Sequence, residues 1–273
     1  HMINVSFMVD GMDERRGGCA GNIAYSLGLL GEKPTIVAAA GRVFGPYAIV
    51  LENMGLPLEG IRRAEDIFTA LCYITTDLNS NQITGFYPGA MSLPADYSFP
   101  AIDADKDIAI ISPGNVEDMR RLPGFYREKG VPYIFDPGQQ LPVLTGNDLL
   151  AAIEGSFACI TNDYELNMIC KATGKSEDEI AARTQWLVTT LGAEGAQVRG
   201  HGENIRIAPV PISKVLDPTG AGDAHRAGLI KGLVHGLEDG LDMTQGQIAE
   251  DLFALYDYMK QRLLDASRNM DTA

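Results

Sequence analysis

Basic residues are scarce in this 273-residue chain: 22 Lys and Arg face 36 Asp and Glu, a formal charge of −14. That balance repels a polyphosphate backbone unless a local basic patch overrides it, so no nucleic-acid partner is expected. Long hydrophobic runs are missing too. No stretch of about 18 apolar residues is present to span a bilayer, so no membrane partner is expected either. The four cysteines, Cys19, Cys72, Cys159 and Cys170, form no CxxC pair, a pattern that fits reduced thiols in the cytoplasm. Ile3-Asn4-Val5-Ser6-Phe7 follows His1-Met2 without a leader, as though the chain began inside a structural element. The sequence lacks GxxxxGK[ST] and GxGxxG, which removes the Walker and Rossmann nucleotide sites. It lacks HExxH and GxSxG, and its histidines, His1, His201, His225 and His235, are scattered. Zinc-protease and serine-hydrolase chemistry are therefore not expected.

Hydrophobic residues make up 45% and charged residues 21% of the chain, ordinary globular usage with length for one large α/β domain or two small ones. Short β-branched runs alternate with amphipathic stretches, the pattern of βαβ units around a mostly parallel sheet. Strands are predicted at Thr35 to Ala39, Ile108 to Ser112, Tyr133 to Asp136, Phe157 to Thr161 and Leu187 to Thr190. Helices are predicted at Asn22 to Leu30, Gly45 to Met54, Val116 to Lys129, Asp148 to Glu154, and from a Ser176 cap to Arg183. Thr69 to Asp77 and Gln82 to Tyr87 alternate apolar and polar residues around Leu78-Asn79-Ser80-Asn81 and read as a β-hairpin. Inserted early in an α/β domain, such a hairpin makes a lid, and Asn4 to Val9 has strand character that could pair with it. From Ile248 to Leu264 apolar residues fall at helical spacing, which predicts a long amphipathic tail helix.

The strongest chemical signal is Asp217-Pro218-Thr219-Gly220-Ala221-Gly222-Asp223, a Gly-rich turn running into an apolar helical stretch. Small residues there let helix-start amides meet an anion, and Asp223 beside them could take a proton from an attacking hydroxyl. The plainer alternative is a Gly-rich cap with an ordinary Asp in the first turn. Arg15-Arg16-Gly17-Gly18-Cys19-Ala20-Gly21-Asn22 opens a second helix, where Asn22 could cap it or bond a polyol.

In this order, these segments resemble the ribokinase-like (PfkB-type) family of sugar and nucleoside kinases from about Ile3 to Gly236. Gln82 to Met91, Asp136-Pro137-Gly138-Gln139-Gln140 and Thr161-Asn162-Asp163-Tyr164-Glu165 make the bacterial adenosine kinases the most similar branch. The resemblance implies a three-layer α/β/α domain at 1–243, with a small β lid from segments near 3–16 and 67–90. It implies ATP-dependent phosphorylation of a nucleoside 5′-hydroxyl, adenosine to AMP first. A pentose or hexose kinase, or an inactive scaffold of the same fold, are the alternatives. By the same resemblance Asp223 is the general base, and Gly220, Ala221 and Gly222 form the anion hole. Gly18, Gly21 and Asn22 hold the sugar, while Asn162, Thr189, Gly192, Gly195, Thr219 and Gly222 line ATP. Glu165 reaches Mg²⁺ through water, a monovalent cation is a further candidate, and the lid is a candidate homodimer surface. Stacking on Phe86 and paired donors and acceptors on Gln139 and Gln140 suit a nucleobase, although lid packing and loop bonding would also explain them.

The sequence departs from the family in places. The family's first strand, with a sugar-gripping Asp in its turn, has no counterpart, so poor catalysis is expected. Val43 stands where Asp is common, and His225 where Phe is common. Beyond Leu237 the match ends, and 244–273 reads as an atypical amphipathic helix. Ile248 to Arg268 resembles one helix of the flagellar-filament secretion chaperones, although any core-facing amphipathic helix would show the same spacing.

Overall fold

A computed structural model describes residue 6 and residues 8–78, 81–209 and 220–238 of the chain. Ten strands and seven α-helices are assigned among them. The main sheet has six strands: β5 (Ala109–Ile111), β6 (Tyr133–Phe135), β7 (Ala158–Asn162), β8 (Trp186–Thr190), β9 (Ala196–Gly200) and β10 (Glu203–Ile207). β5 to β8 run parallel in that order, and β9 and β10 close one edge as an antiparallel meander.

Helices cover both faces of this sheet, because its short strands carry apolar side chains on both sides. Tyr133, Phe135, Cys159 and Leu187 face one side and pack with residues of α3 (Val116–Lys129), α4 (Gly146–Ile153), α5 (Asp163–Thr173) and α6 (Glu177–Ala181). Ile134, Ala158, Ile160, Trp186 and Val188 face the other and meet α1 (Cys19–Leu29) and α7 (Ala221–Glu238). The expected three-layer α/β/α arrangement is therefore present. α3 illustrates how local sequence sets an element's ends: Asn115 caps it by accepting from the Asp118 amide at 3.1 Å, and Gly130 ends it with φ 72°.

A smaller parallel pair, β1 (Ala38–Arg42) with β2 (Ile61–Phe68), encloses α2 (Gly45–Asn53), with Ala40, Phe44, Leu51 and Ile61 in its core. The strand predicted from Thr35 begins three residues later, because pairing with Ile61 starts at Ala38. β2 escapes a period-two reading because charged Arg62, Arg63, Glu65 and Asp66 occupy its exposed positions in pairs. The hairpin of β3 (Leu71–Thr76) and β4 (Gln82–Tyr87) forms with Leu71 opposite Tyr87 and Thr76 opposite Gln82. The expected third lid strand is corrected: Ser6, Met8 and Val9 carry no strand and residues 8–16 have no regular structure. Those described residues are exposed, Met8, Val9 and Met12 among them, so no partner strand covers them among the described residues. Asn4, Val5 and Phe7, Thr219 and the tail from 239 lie outside the described residues. Among the described residues no helix is long and apolar enough to cross a membrane.

Arg127 ties two helices of one layer together. Its Nη1 donates to the carbonyls of Ala151 (3.0 Å) and Glu154 (2.9 Å) at the end of α4 and to the Tyr133 hydroxyl at 2.6 Å, which itself donates to Ala152 at 2.9 Å. Arg127→Met should cost about 1–3 kcal/mol in urea unfolding with an unchanged m-value, since carbonyls at the α4 end lose a charged donor.

Candidate functional site

Two helices start at glycine turns and lie side by side at the carboxyl ends of the parallel strands, where open α/β sheets present ligand sites. Gly18 (φ 92°) precedes α1 and Gly220 (φ 79°) precedes α7, and a Cβ at either would meet nothing within 4 Å. Among the described residues both turns thus face open space, and the first amides of each helix have no intrahelical acceptor. Ile23 and Leu27 of α1 pack with Ala227, Ile230 and Leu233 of α7. Farther along, Lys231 pairs with Glu32. This packing fixes the two helix starts relative to each other. There Asn22 Nδ2 donates to Asp223 Oδ2 at 2.8 Å, joining two predicted site residues 201 positions apart.

Gly220, Ala221 and Gly222 occupy the open start of α7, with Ala221 and Gly222 exposed and Asp223 half-buried. Gly21 has a different reason to be glycine: a Cβ there would lie 2.3 Å from the Tyr47 hydroxyl. Tyr47 lies in the electrostatic reach of Arg16 and Asp223, and burial raises its phenol pKa above the ordinary value. Nothing in its sequence surroundings marks it as part of the site.

Asp136 follows β6 and is almost fully buried, at 1% exposure. Arg226 of α7 reaches it with both arms of its guanidinium, Nη2 donating to Oδ1 at 2.6 Å and Nε to Oδ2, while Nη1 donates to the Gly222 carbonyl at 2.9 Å. Burial lowers the Arg226 pKa, but the hydrogen bonds and charge of Asp136 outweigh it and carry the pKa above its ordinary value. Asp136 opens one of the motifs that carry the family resemblance, but the pairing was not read, although one signal was there: an acid after an apolar strand and a cation inside an apolar helix both need partners.

The turn after Asp136 carries both glutamines. Gln140 Nε2 donates to the Gly114 carbonyl at 2.7 Å, anchoring the turn, whereas Gln139 is exposed and its Oε1 accepts from the Cys19 thiol at 3.6 Å. Burial, and then the carboxylates of Asp223 and Asp136, push the Cys19 thiol up to about 12, so it stays protonated at neutral pH. Phe86 sits on the hairpin opposite Cys72, 55% exposed, away from this cluster of hydrogen bonds.

Asn162 and Glu165 close a capping box at the start of α5: Asn162 Oδ1 accepts from the Glu165 amide at 2.7 Å, and Glu165 Oε2 accepts from the Asn162 amide at 2.8 Å. Together they form a reciprocal helix-cap pair. It still leaves a carboxylate at the strand ends near Arg226, which feels its charge. Among the described residues no group of three or more His, Cys, Asp or Glu could hold a metal ion by itself. Thr189 is buried in β8. Gly192 has φ 57°, and Gly195, at φ 89°, lies so close to the end of β10 that a Cβ would fall 2.0 Å from the Ile207 carbonyl oxygen. Thr219 is outside the described residues.

The chain is similar in sequence and fold to known proteins. A family model described as pfkB family carbohydrate kinase matches residues 4–243, and a second, described as flagellar protein FliS, matches residues 225–273. A nucleoside kinase of Methanothermobacter thermautotrophicus is 31% identical over 242 residues, covering 86% of this chain and 77% of that protein. The structure of Burkholderia thailandensis nucleoside kinase in complex with inosine superposes with a TM-score of 0.79 at 40% identity, covering 93% of this chain and 81% of that one. The same kinase in complex with ADP-inosine gives 0.75 at 42% identity, covering 85% and 73%.

His225, beside Arg226, is pushed down to about 4 by burial and then by the Arg226 charge. The unfolded chain binds its proton near pH 6.5, so this histidine's share of stability is complete above that pH and is lost as pH falls toward 4. The thermal midpoint of the unmodified chain should therefore fall more steeply between pH 6.5 and pH 4 than that of His225→Phe, by the equivalent of up to about 3 kcal/mol.

Proposed function

The chain belongs to the pfkB family of carbohydrate kinases, and from that premise we propose that it transfers the γ-phosphoryl group of ATP to the 5′-hydroxyl of a nucleoside. The observation that carries this reading is the Asp223 carboxylate, held by Asn22 at 2.8 Å beside the open start of an 18-residue helix. With Oδ2 fixed by Asn22, Oδ1 takes the proton of the acceptor hydroxyl. The acceptor oxygen forms its bond to the γ-phosphorus in line as the bond to the bridging oxygen breaks, and ADP leaves. Charge on the transferring group meets the amides of Gly220, Ala221 and Gly222 and the positive end of the helix dipole. Mg²⁺, when bound, neutralises phosphate charge, and Glu165 would orient its waters.

The substrate reading draws on the nucleoside kinases of similar sequence and on the exposed amide of Gln139, which can address a base edge. A purine nucleoside is favoured, adenosine from the sequence motifs and inosine from the Burkholderia kinase. The lid hairpin leaves Tyr73, Ile74, Ile83, Phe86 and Tyr87 exposed, which supports closure of that hairpin over substrate or its pairing with a second copy. Free thiols at Cys19, Cys72, Cys159 and Cys170 support a reducing, cytoplasmic setting.

A coupled ADP-release assay with adenosine, inosine, cytidine and ribose tests the activity. Asp223→Asn should lower kcat at least about 10²-fold with little change in nucleoside affinity, because loss of the base acts on the transition state; near-normal turnover would sink the assignment. Phe86→Ala should weaken adenosine binding by roughly 1–3 kcal/mol and ribose binding far less, as read by calorimetry. Equal losses for both ligands would mean that Phe86 supports the hairpin instead of the base.

A further inference from the structure

The proposed transfer uses Asp223, Asn22 and the helix-start amides and leaves the ion pair of Asp136 and Arg226 without a task. Both side chains are almost dry, at 2% and 11% exposure. A hydrophobic pair of the same size could be as stable in such a place, so burial alone does not account for two charges. Their placement does more. Arg226 lies three residues beyond Asp223 on the same face of α7. Its Nη1 turns back to the Gly222 carbonyl at 2.9 Å, and a Cβ on Gly222 would stand 2.9 Å from that nitrogen. The guanidinium therefore rests against the helix start that carries the general base.

Its other two nitrogens grip Asp136, the first residue of the turn that presents Gln139. Gln139 meets Cys19 at the start of α1, and Asn22, three residues farther along that helix, returns to Asp223. The contacts form a closed ring: Asp223 to Asn22, Cys19 to Gln139, Asp136 to Arg226, and through one turn of α7 back to Asp223. Only the Arg226 link is both charged and two-pronged, which fixes orientation as well as distance.

We propose that Arg226 is a positioning residue that locks the Gln139 turn to the Asp223 helix start, so that a nucleobase held by the turn is read out as a faster phosphoryl transfer. The proposal rests on the nucleoside-kinase reading. The nitrogens of Arg226 are engaged by Asp136 and the Gly222 carbonyl, and in this role it acts by keeping the acceptor hydroxyl and Asp223 in register, where a displacement of about 1 Å costs on the order of 10²-fold in rate.

The test uses the full chain, with two variants. Arg226→Lys keeps the charge and loses the fork. Asp136→Asn/Arg226→Gln removes both charges and so leaves no buried charge unpaired. Amide hydrogen exchange, read by mass spectrometry, should accelerate in both variants at residues 138–141 and 19–24 together, with β7 and β8 unchanged. In Arg226→Lys, kcat for the preferred nucleoside should fall at least about tenfold with KM for ATP unchanged, and kcat for ribose, which leaves the base-facing turn empty, should fall much less. Faster exchange confined to α7, wild-type exchange in the double variant, or equal losses of kcat for nucleoside and ribose would each overturn the proposal. If the unmodified chain phosphorylates no nucleoside, the functional reading fails on that result alone, and the exchange measurement still decides whether Arg226 couples the two segments.

Discussion

A carboxylate with 1% exposure cannot stay ionised without a cation at its side, and the site of this protein is arranged around that requirement. Asp136 follows β6, within the parallel part of the main sheet, and the cation beside it comes from an element passing over the strand ends. Arg226 supplies it from α7. For the guanidinium to arrive, α7 must begin close above the sheet, which brings Asp223 and the amides of Gly220 to Gly222 to the same place. α1 follows, because its apolar face is completed by Ala227, Ile230 and Leu233. Electrostatic need and hydrophobic packing therefore select the same arrangement of helices, a consistency between levels that distinguishes a specific fold from a merely compact one.

Much of this was legible in the sequence, and the reasons differ by element. α3 was readable to the residue because Asn115 and Gly130 mark its ends chemically, and the hairpin because its alternation is uninterrupted on both sides of a polar turn. β2 was illegible because its exposure follows pairs of charged residues, and β9 and β10 because each is a five-residue strand of mixed polarity stabilised mainly by its neighbour. The α5 helix was not read although its cap was in view: Asn162 and Glu165 were named as a family motif, and their hydrogen bonds also form the capping box that starts the helix.

At the site, the motif residues Asp223 and Asn22 could be named from the sequence, and the hydrogen bond between them could not, since nothing in a linear pattern specifies a contact across 201 positions. Asp136 was visible as the first residue of a motif and Arg226 as a charge in apolar surroundings, but not as partners. The glycines divide along a physical line. Gly18 and Gly220 keep space open, whereas Gly195 and Gly21 are needed because another part of the chain already fills the volume of a side chain. A motif reading treats all four alike.

Gly21 shows what that last distinction means for substitution. The volume a methyl group would need at position 21 is held by the Tyr47 hydroxyl oxygen, 2.3 Å away, while the ring carbon behind that oxygen lies at 3.1 Å. The two residues share one space between them, and a larger side chain at 21 is admitted only if the oxygen at 47 moves or is removed. Positions 21 and 47 are therefore coupled, because a side chain added at 21 requires the Tyr47 side chain to move or to shorten. Otherwise the two side chains compete for the same few cubic ångströms.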